Sequence, residues 1–392
     1  MDEKQNKLND YGIRVHEHPG ELPASEWDAL LALQDSPTPF MRHAYLQALH
    51  TSGSAVPTTG WTPRFFSLWH NNKMVAACPL YLKTHSYGEY VFDWAWANAY
   101  HQHGLDYYPK ALIAVPFTPV PGSRLLADSP VHREMLLQAV MGWCEDKSLS
   151  SLHLLFASSN DLAATEHVQL LQRQTVQFHW HNQGWPDFDA FLSSLTQEKR
   201  KKIRQERRKV KEAGVSFRHA QGKHISPQDW VFFYQCYERT YLEHGNAPYL
   251  TPAFFKQMQS EMSENWLLFI AEKQDRPIAC SLIGIHQLEG PHPVAYGRYW
   301  GATERVDCLH FEACYYQPLQ WCIANGVQRF EGGAQGEHKM ARALMPVSTH
   351  SAHWLADQRF SKAVEDFLLR EGKGVENYLE HLDERQPFKR TN

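Results

Sequence analysis

Between Arg329 and Arg342 the chain reads Arg-Phe-Glu-Gly-Gly-Ala-Gln-Gly-Glu-His-Lys-Met-Ala-Arg. Glycines there let a backbone approach a ligand closely and take dihedrals closed to other residues. Glu337 and His338 have the groups to accept a proton, and Lys339 could hold a phosphate or stabilise a developing oxyanion. The plainer alternative is a shaped turn with a solvated charged triplet. Neither GxGxxG nor GxxxxGK[ST] occurs, so the segment is no dinucleotide fingerprint and no P-loop.

A second cluster is electrostatic. From Thr196 to Glu212 nine Lys/Arg stand against three Glu, a local +6 in a chain of net charge −4, which leaves −10 on the rest. Good helix formers fill this run, and its apolar stripe is narrow: Leu195, Ile203 and Val210. It is either a solvated helix face or a surface for phosphates, with Arg200, Lys202 and Arg204 as the candidate contacts. A third is aromatic. Trp94, Trp96, Asn98 and Tyr100 fall at period two, which suggests a strand with one aromatic face. That face is either core or, with Trp96, Tyr100, His101 and His103, the lining of a substrate groove. Arg298, Trp300, His310 and Gln335 complete the candidate binding residues, and Glu312 is a further acid able to take a proton.

Metal chemistry finds little support. Seven cysteines form no CxxC pair, and the 23 histidines include no HExxH. His350 and His353 stand three apart and could share a helix face, but two ligands do not make a metal site. The cysteines are expected as small buried hydrophobes in a reducing compartment. The first ten residues, MDEKQNKLND, contain no apolar run, and stretches such as Trp266–Ala271 are too short to span a bilayer. A cytoplasmic protein with no membrane span is the expectation.

The elements that must position these groups follow a repeat. Arg64–Trp69 and Met74–Leu82 read as two strands about a polar turn, as do Trp266–Ala271 and Pro277–Ile285. Phe66 and Phe269, Val75 and Ile278, Ala76 and Ala279 match at a constant offset of 203. A further aromatic strand follows each pair, Tyr90–Trp94 and Val294–Trp300, and then a helix and a strand. Helices are expected over 132–147, 227–243 and 311–325, the last closed by Gly326, and strands over 152–156 and 329–331. With 392 residues the chain should form two domains, dividing near Gly184-Trp-Pro186 into 1–185 and 186–392. The predicted class is α/β (α+β), with a C-terminal helix near 360–371 packing back on the first domain.

Motifs spread over nearly the whole chain resemble the FemAB-like family of predicted N-acyltransferases, associated with peptidoglycan biosynthesis or recognition. They include His43-Ala-Tyr-Leu46, Trp96-Ala-Asn-Ala-Tyr100, Tyr107-Tyr-Pro-Lys110, Pro116–Gly122, Tyr299-Trp-Gly301, His310-Phe-Glu312, Gly333–Lys339 and Ser351-Ala-His-Trp354. More distantly the chain is similar to the FemABX aminoacyltransferases. The resemblance implies two tandem GNAT-type domains with mixed central sheets and a basic helix opening the second. Phe330-Glu-Gly-Gly333 looks like that family's Asp-Phe-Gly-Gly strand end, and Lys339 falls near its catalytic aromatic-Lys pair. His338 stands where the aromatic would be, and Met340-Ala-Arg-Ala replaces Lys-Gly-Phe-Gly. The loop that grips the CoA pyrophosphate in GNAT enzymes has no copy here.

What this implies is an N-acyltransferase moving an acyl or aminoacyl group to an amine, with acyl-CoA or aminoacyl-tRNA as donor and a peptidoglycan precursor or small molecule as acceptor. Lys339 would stabilise the oxyanion, Glu337, His338 or Glu312 would accept the amine proton, and tRNA would be a candidate partner. The rival readings are a non-catalytic module recognising a cell-wall precursor or RNA, and an acyl-CoA-dependent N-acetyltransferase. No tightly bound cofactor is expected.

Overall fold

The computed structural model describes residues 11–334 and 336–389. The chain forms two compact units, one of residues 1–175 with 349–376 and one of 176–348 with 377–392. The expected single divide near residue 185 therefore differs from the path taken: the strands Leu171–His181 and Met345–Leu355 each give residues to both units.

In the first unit Tyr11–His16, Phe65–His70, Lys73–Cys78 and Leu126–Ala127 form an antiparallel sheet in that order. A second set pairs Trp61–Pro63, Tyr81–Lys83, Lys110–Ile113 and Ser151–Leu155 in sequence, then residues 351–355. Its pairing of Lys110–Ile113 with Ser151–Leu155 is parallel, with the helix Pro130–Asp146 connecting them in the chain. Phe66, Leu68, Leu136, Val140, Leu152 and Leu154 form the core between helix and sheets.

In the second unit Val215–Gln221, Trp266–Lys273, Arg276–His286 and Val294–Ala302 make an antiparallel ladder. Arg329–Ala334 joins Val294–Ala302 in parallel and pairs residues 177–181 on its other side. The core gathers Phe178, Trp180, Ile203, Leu267, Phe269 and Phe330.

The two hairpins correspond closely. Both close on two-residue turns with left-handed backbone, Asn71-Asn72 and Gln274-Asp275, the conformation whose twist suits tight hairpins. Both carry a register irregularity at the equivalent place, after Leu68 in one and after Ala271 in the other. Turn and irregularity alike keep the offset of 203 seen in the sequence, so the repeat extends beyond side-chain likeness to backbone geometry.

Three expectations need correction. The segment from Trp94 is not a strand but the helix Trp94–Gln102, and Tyr90–Val91 belongs to the irregular chain before it. Trp96 and Tyr100 are four apart as well as even-numbered, so a period of two and a helical face select the same pair. Both are buried with Phe360, Val364 and Leu368 of the C-terminal helix Gln358–Asp383. His350 and His353 lie on the strand Met345–Leu355, where residues three apart face opposite sides. His353 is buried beside His153, Nδ1 to Nδ1 at 2.8 Å. No group of three His, Cys, Asp or Glu able to hold a metal occurs among the described residues, and no described helix is long and apolar enough to cross a membrane.

Candidate active site

In the second unit the parallel strands Val294–Ala302 and Arg329–Ala334 pair at only three positions, ending at Tyr296 and Glu331. Val294–Ala302 goes on pairing Arg276–His286 as far as Ala302. Beyond Tyr296, then, the ladder between the parallel pair stops. A cavity of about 140 Å³ lies there, lined by Gly297, Arg298 and Trp300 from one strand and Phe330 and Gly332 from the other.

Gly332 leaves room that a side chain would fill. A Cβ there would sit 2.5 Å from Leu344 Cδ2 and 3.3 Å from Lys339 Cδ, so its absence lets the 3₁₀ turn Glu337–Arg342 close on the strand end. Lys339 is thereby buried, with Nζ donating to the Gly333 carbonyl at 3.0 Å. Burial lowers its pKa to about 8, which Cys314 opposes slightly.

The far wall is a helix with an unusual centre. Leu309–Phe311 runs into the π-helical Glu312–Tyr316 and then Gln317–Ala324. The wider turn gives His310, Cys314 and Tyr315 to the cavity and leaves Glu312 and Tyr316 for other partners; such π-turns are frequent at functional sites. His310 packs edge-on to Trp300 at 5.3 Å. Burial, and then the neighbouring His338, Arg342 and Lys339, push its pKa down to about 4, so it is a neutral imidazole near pH 7.

The remaining candidates are distributed less simply. His338 is exposed, with Nε2 3.4 Å from the Tyr315 hydroxyl; burial of its ring and the nearby Arg342 and Lys339 lower its pKa. Glu337 is exposed and accepts from Arg385 Nη1 at 2.7 Å. Glu312 is buried but turned to the basic helix Gln197–Glu212, accepting from Arg207 Nε at 3.1 Å and from Gln317 Nε2 at 2.7 Å. Gln335 lies outside the described residues. On the basic helix Arg200 and Arg204 share one outward stripe with Lys201 and Arg208, while Lys202 falls off it. In the first unit Trp96 and Tyr100 are core, and His101 and His103 are exposed, so these four form no common groove.

Sequence reasoning missed the ion pairs that tie the basic helix to the site. Glu206 is buried, accepts from Arg342 Nη2 at 2.9 Å and from the Tyr316 hydroxyl, and so joins helix, π-turn and 3₁₀ turn. Arg342 Nη1 also donates to the His338 carbonyl at 2.9 Å, and its guanidinium lies 3.6 Å from the Phe311 ring centroid. A signal was present: Glu206 falls on the stripe of Ile203 and Val210, where an acid in a basic helix has to meet a buried cation.

Comparison with known proteins adds a family and a fold. The FemAB-like family, described as peptidoglycan biosynthesis/recognition, matches residues 19–390. No curated protein sequence matches. Among solved structures FemX is similar at a TM-score of 0.51 and 9% identity, over 90% of this chain and 100% of FemX. L-PGS from Bacillus licheniformis gives 0.52 and 10%, over 87% and 94%. The C-terminal domain of a putative lysylphosphatidylglycerol synthetase from Agrobacterium fabrum gives 0.51 and 9%, over 88% and 96%. At these identities the likeness establishes the fold alone, a mixed α/β arrangement.

Proposed function

The chain belongs to the FemAB-like family, and from that premise we propose that it is an N-acyltransferase whose second unit receives the acyl donor in the cavity beyond the paired part of its parallel strands. The observation that carries this reading is the end of the strand pairing at Tyr296 and Glu331, with a neutral histidine lining the cavity there and a buried lysine bonded to the Gly333 carbonyl. Fold alone would not choose an activity; this pairing of groups has the parts acyl transfer needs.

The amine nitrogen of the acceptor attacks the donor's carbonyl carbon, and the carbonyl oxygen takes up negative charge. Lys339, held as a cation near neutral pH, stabilises that charge. The proton released from the nitrogen goes to the His310 imidazole. An imidazolium with so low a pKa is a strong acid, so it passes the proton on to the carrier atom as the carrier–acyl bond breaks. Arg200 and Arg204 are assigned to phosphates of the carrier, and the acceptor is an amine of a peptidoglycan precursor.

The test is mass spectrometry of a soluble precursor peptide incubated with the protein and acyl donors. A product heavier by one acyl group is expected, with turnover in Lys339→Met reduced about 10²–10³-fold, the scale of one lost oxyanion donor. Unchanged turnover in that variant would remove Lys339 from the mechanism. Absence of acylated product with every donor would remove the precursor as acceptor.

A further inference from the structure

The turn that carries Lys339 is held from outside, by a residue that touches none of the groups assigned to the reaction; its importance rests on the role given to Lys339 above. Glu337–Arg342 is a 3₁₀ run of six residues, longer than the about three or four that such helices usually reach. Left-handed backbone bounds it, Gly336 at φ 110° before and Ala343 at φ 62° after. Alanine takes that region only where the surrounding structure imposes it. The turn's backbone bonds are local: Lys339 N donates to the Gly336 carbonyl at 3.0 Å and Ala343 N to the Met340 carbonyl at 2.9 Å. Met340 and Leu344 seat it on the core, but apolar packing is non-directional and does not choose the rotation of a turn. A directed contact comes from the basic helix. Arg342, the last residue of the turn, is buried and donates from Nη2 to both Glu206 carboxylate oxygens, at 3.0 and 2.9 Å. From Nη1 it donates back to the His338 carbonyl at 2.9 Å, the peptide that leads into Lys339. Glu206 is itself buried and accepts from the Tyr316 hydroxyl. Its neighbour Arg207 pairs with Glu312 at 3.0 Å, so adjacent residues of one helix grip both the Lys339 turn and the π-turn wall.

We propose that Glu206 is a positioning residue: through Arg342 and the His338 carbonyl it holds the 3₁₀ turn so that Lys339 Nζ stays at the strand end beside Gly333. Without the carboxylate the turn loses its directed anchor and the ammonium swings toward water. The titratable groups that feel Lys339 are Cys314 and His310 of the far wall, His338 of its own turn and His179 of the strand Leu171–His181.

The test is an NMR titration of protein carrying ¹³C-labelled lysine, with the Lys339 Cε signal identified by its absence in Lys339→Met. In the parent it should titrate at about 8, the value that burial gives it. In Glu206→Gln the displaced ammonium regains water, and the midpoint should rise by at least about one pH unit toward the ordinary lysine value. Charge alone predicts the opposite sign, because removing a carboxylate and leaving Arg342 unpaired both disfavour a nearby cation. The double variant Glu206→Gln, Arg342→Met separates position from stability. It relieves the unpaired buried charge yet lacks the strut, so its lysine should still titrate high, and it answers alone if Glu206→Gln does not fold. A midpoint that stays or falls in Glu206→Gln overturns the proposal, as does a double variant that titrates like the parent. So does a parent midpoint already at 10.5, since the turn would then not keep the ammonium from water. No turnover is measured, so the transferase reading stands or falls separately on Lys339→Met.

Discussion

Burial of the Lys339 ammonium opposes folding. Its pKa is lowered from 10.5 to about 8, so between those values the unfolded chain binds more protons than the folded one. Stability must then rise with pH across that window, and the burden is greatest below it. We expect Lys339→Met to turn over slowly yet be more stable than the parent at pH 7, by about 1–3 kcal/mol. Urea titrations at pH 7 and near pH 10.5 check this, since the gap between the two proteins should close as the parent's lysine neutralises. A pH-independent gap would mean that the ammonium is not desolvated. Activity should move oppositely: a cation that stabilises an oxyanion is lost above about pH 8, so the parent's rate should fall there. A rate that climbed through that pH would identify Lys339 as a base instead.

At the scale of elements, two contacts decide whether the cavity keeps its shape. Gly301 lies where a Cβ would be 2.1 Å from the Cys236 carbonyl oxygen, on the helix Pro227–Glu243. The obstacle is backbone and cannot rotate aside, so Gly301→Ala must push helix and strand apart and should destabilise by about 3 kcal/mol or more. Thermal unfolding measures it, and a cost below about 1 kcal/mol would mean the helix yields freely. The second contact is the pair of Glu206 and Arg342. Arg342→Met leaves a buried carboxylate without its cation and should cost about 3–5 kcal/mol, whereas the double variant Glu206→Gln, Arg342→Met should recover much of it. These elements were unequally legible. The hairpins, the basic helix and the helix from Pro227 could be read because alternation, composition and a proline at the helix start point the same way. The helix Trp94–Gln102 was hidden because Trp96 and Tyr100 fit both periods. The π-turn at Glu312–Tyr316 could not be read at all, since one extra residue in a helical turn leaves no local composition signal.

For the molecule as a whole, charge is the property to test. A body carrying −10 repels polyanions at long range, while one helix concentrates +6. Inside that helix the charges are not equivalent, which the sequence could not show. Arg207 is spent on Glu312, and Arg200, Lys201, Arg204 and Arg208 form the outward stripe. The stripe brings four cations together on one surface, so polyanion affinity should depend on it most. Filter binding of total tRNA across a salt series should show log K falling linearly with log salt, by about 0.7–0.9 for each phosphate contacted. Arg200→Ala with Arg204→Ala should lower that slope by about 1.4–1.8, and Lys202→Ala, off the stripe, should leave it unchanged. An equal effect of Lys202→Ala would make the whole helix a diffuse cation rather than a patterned one. Absence of binding at low salt would leave the stripe a solvated face.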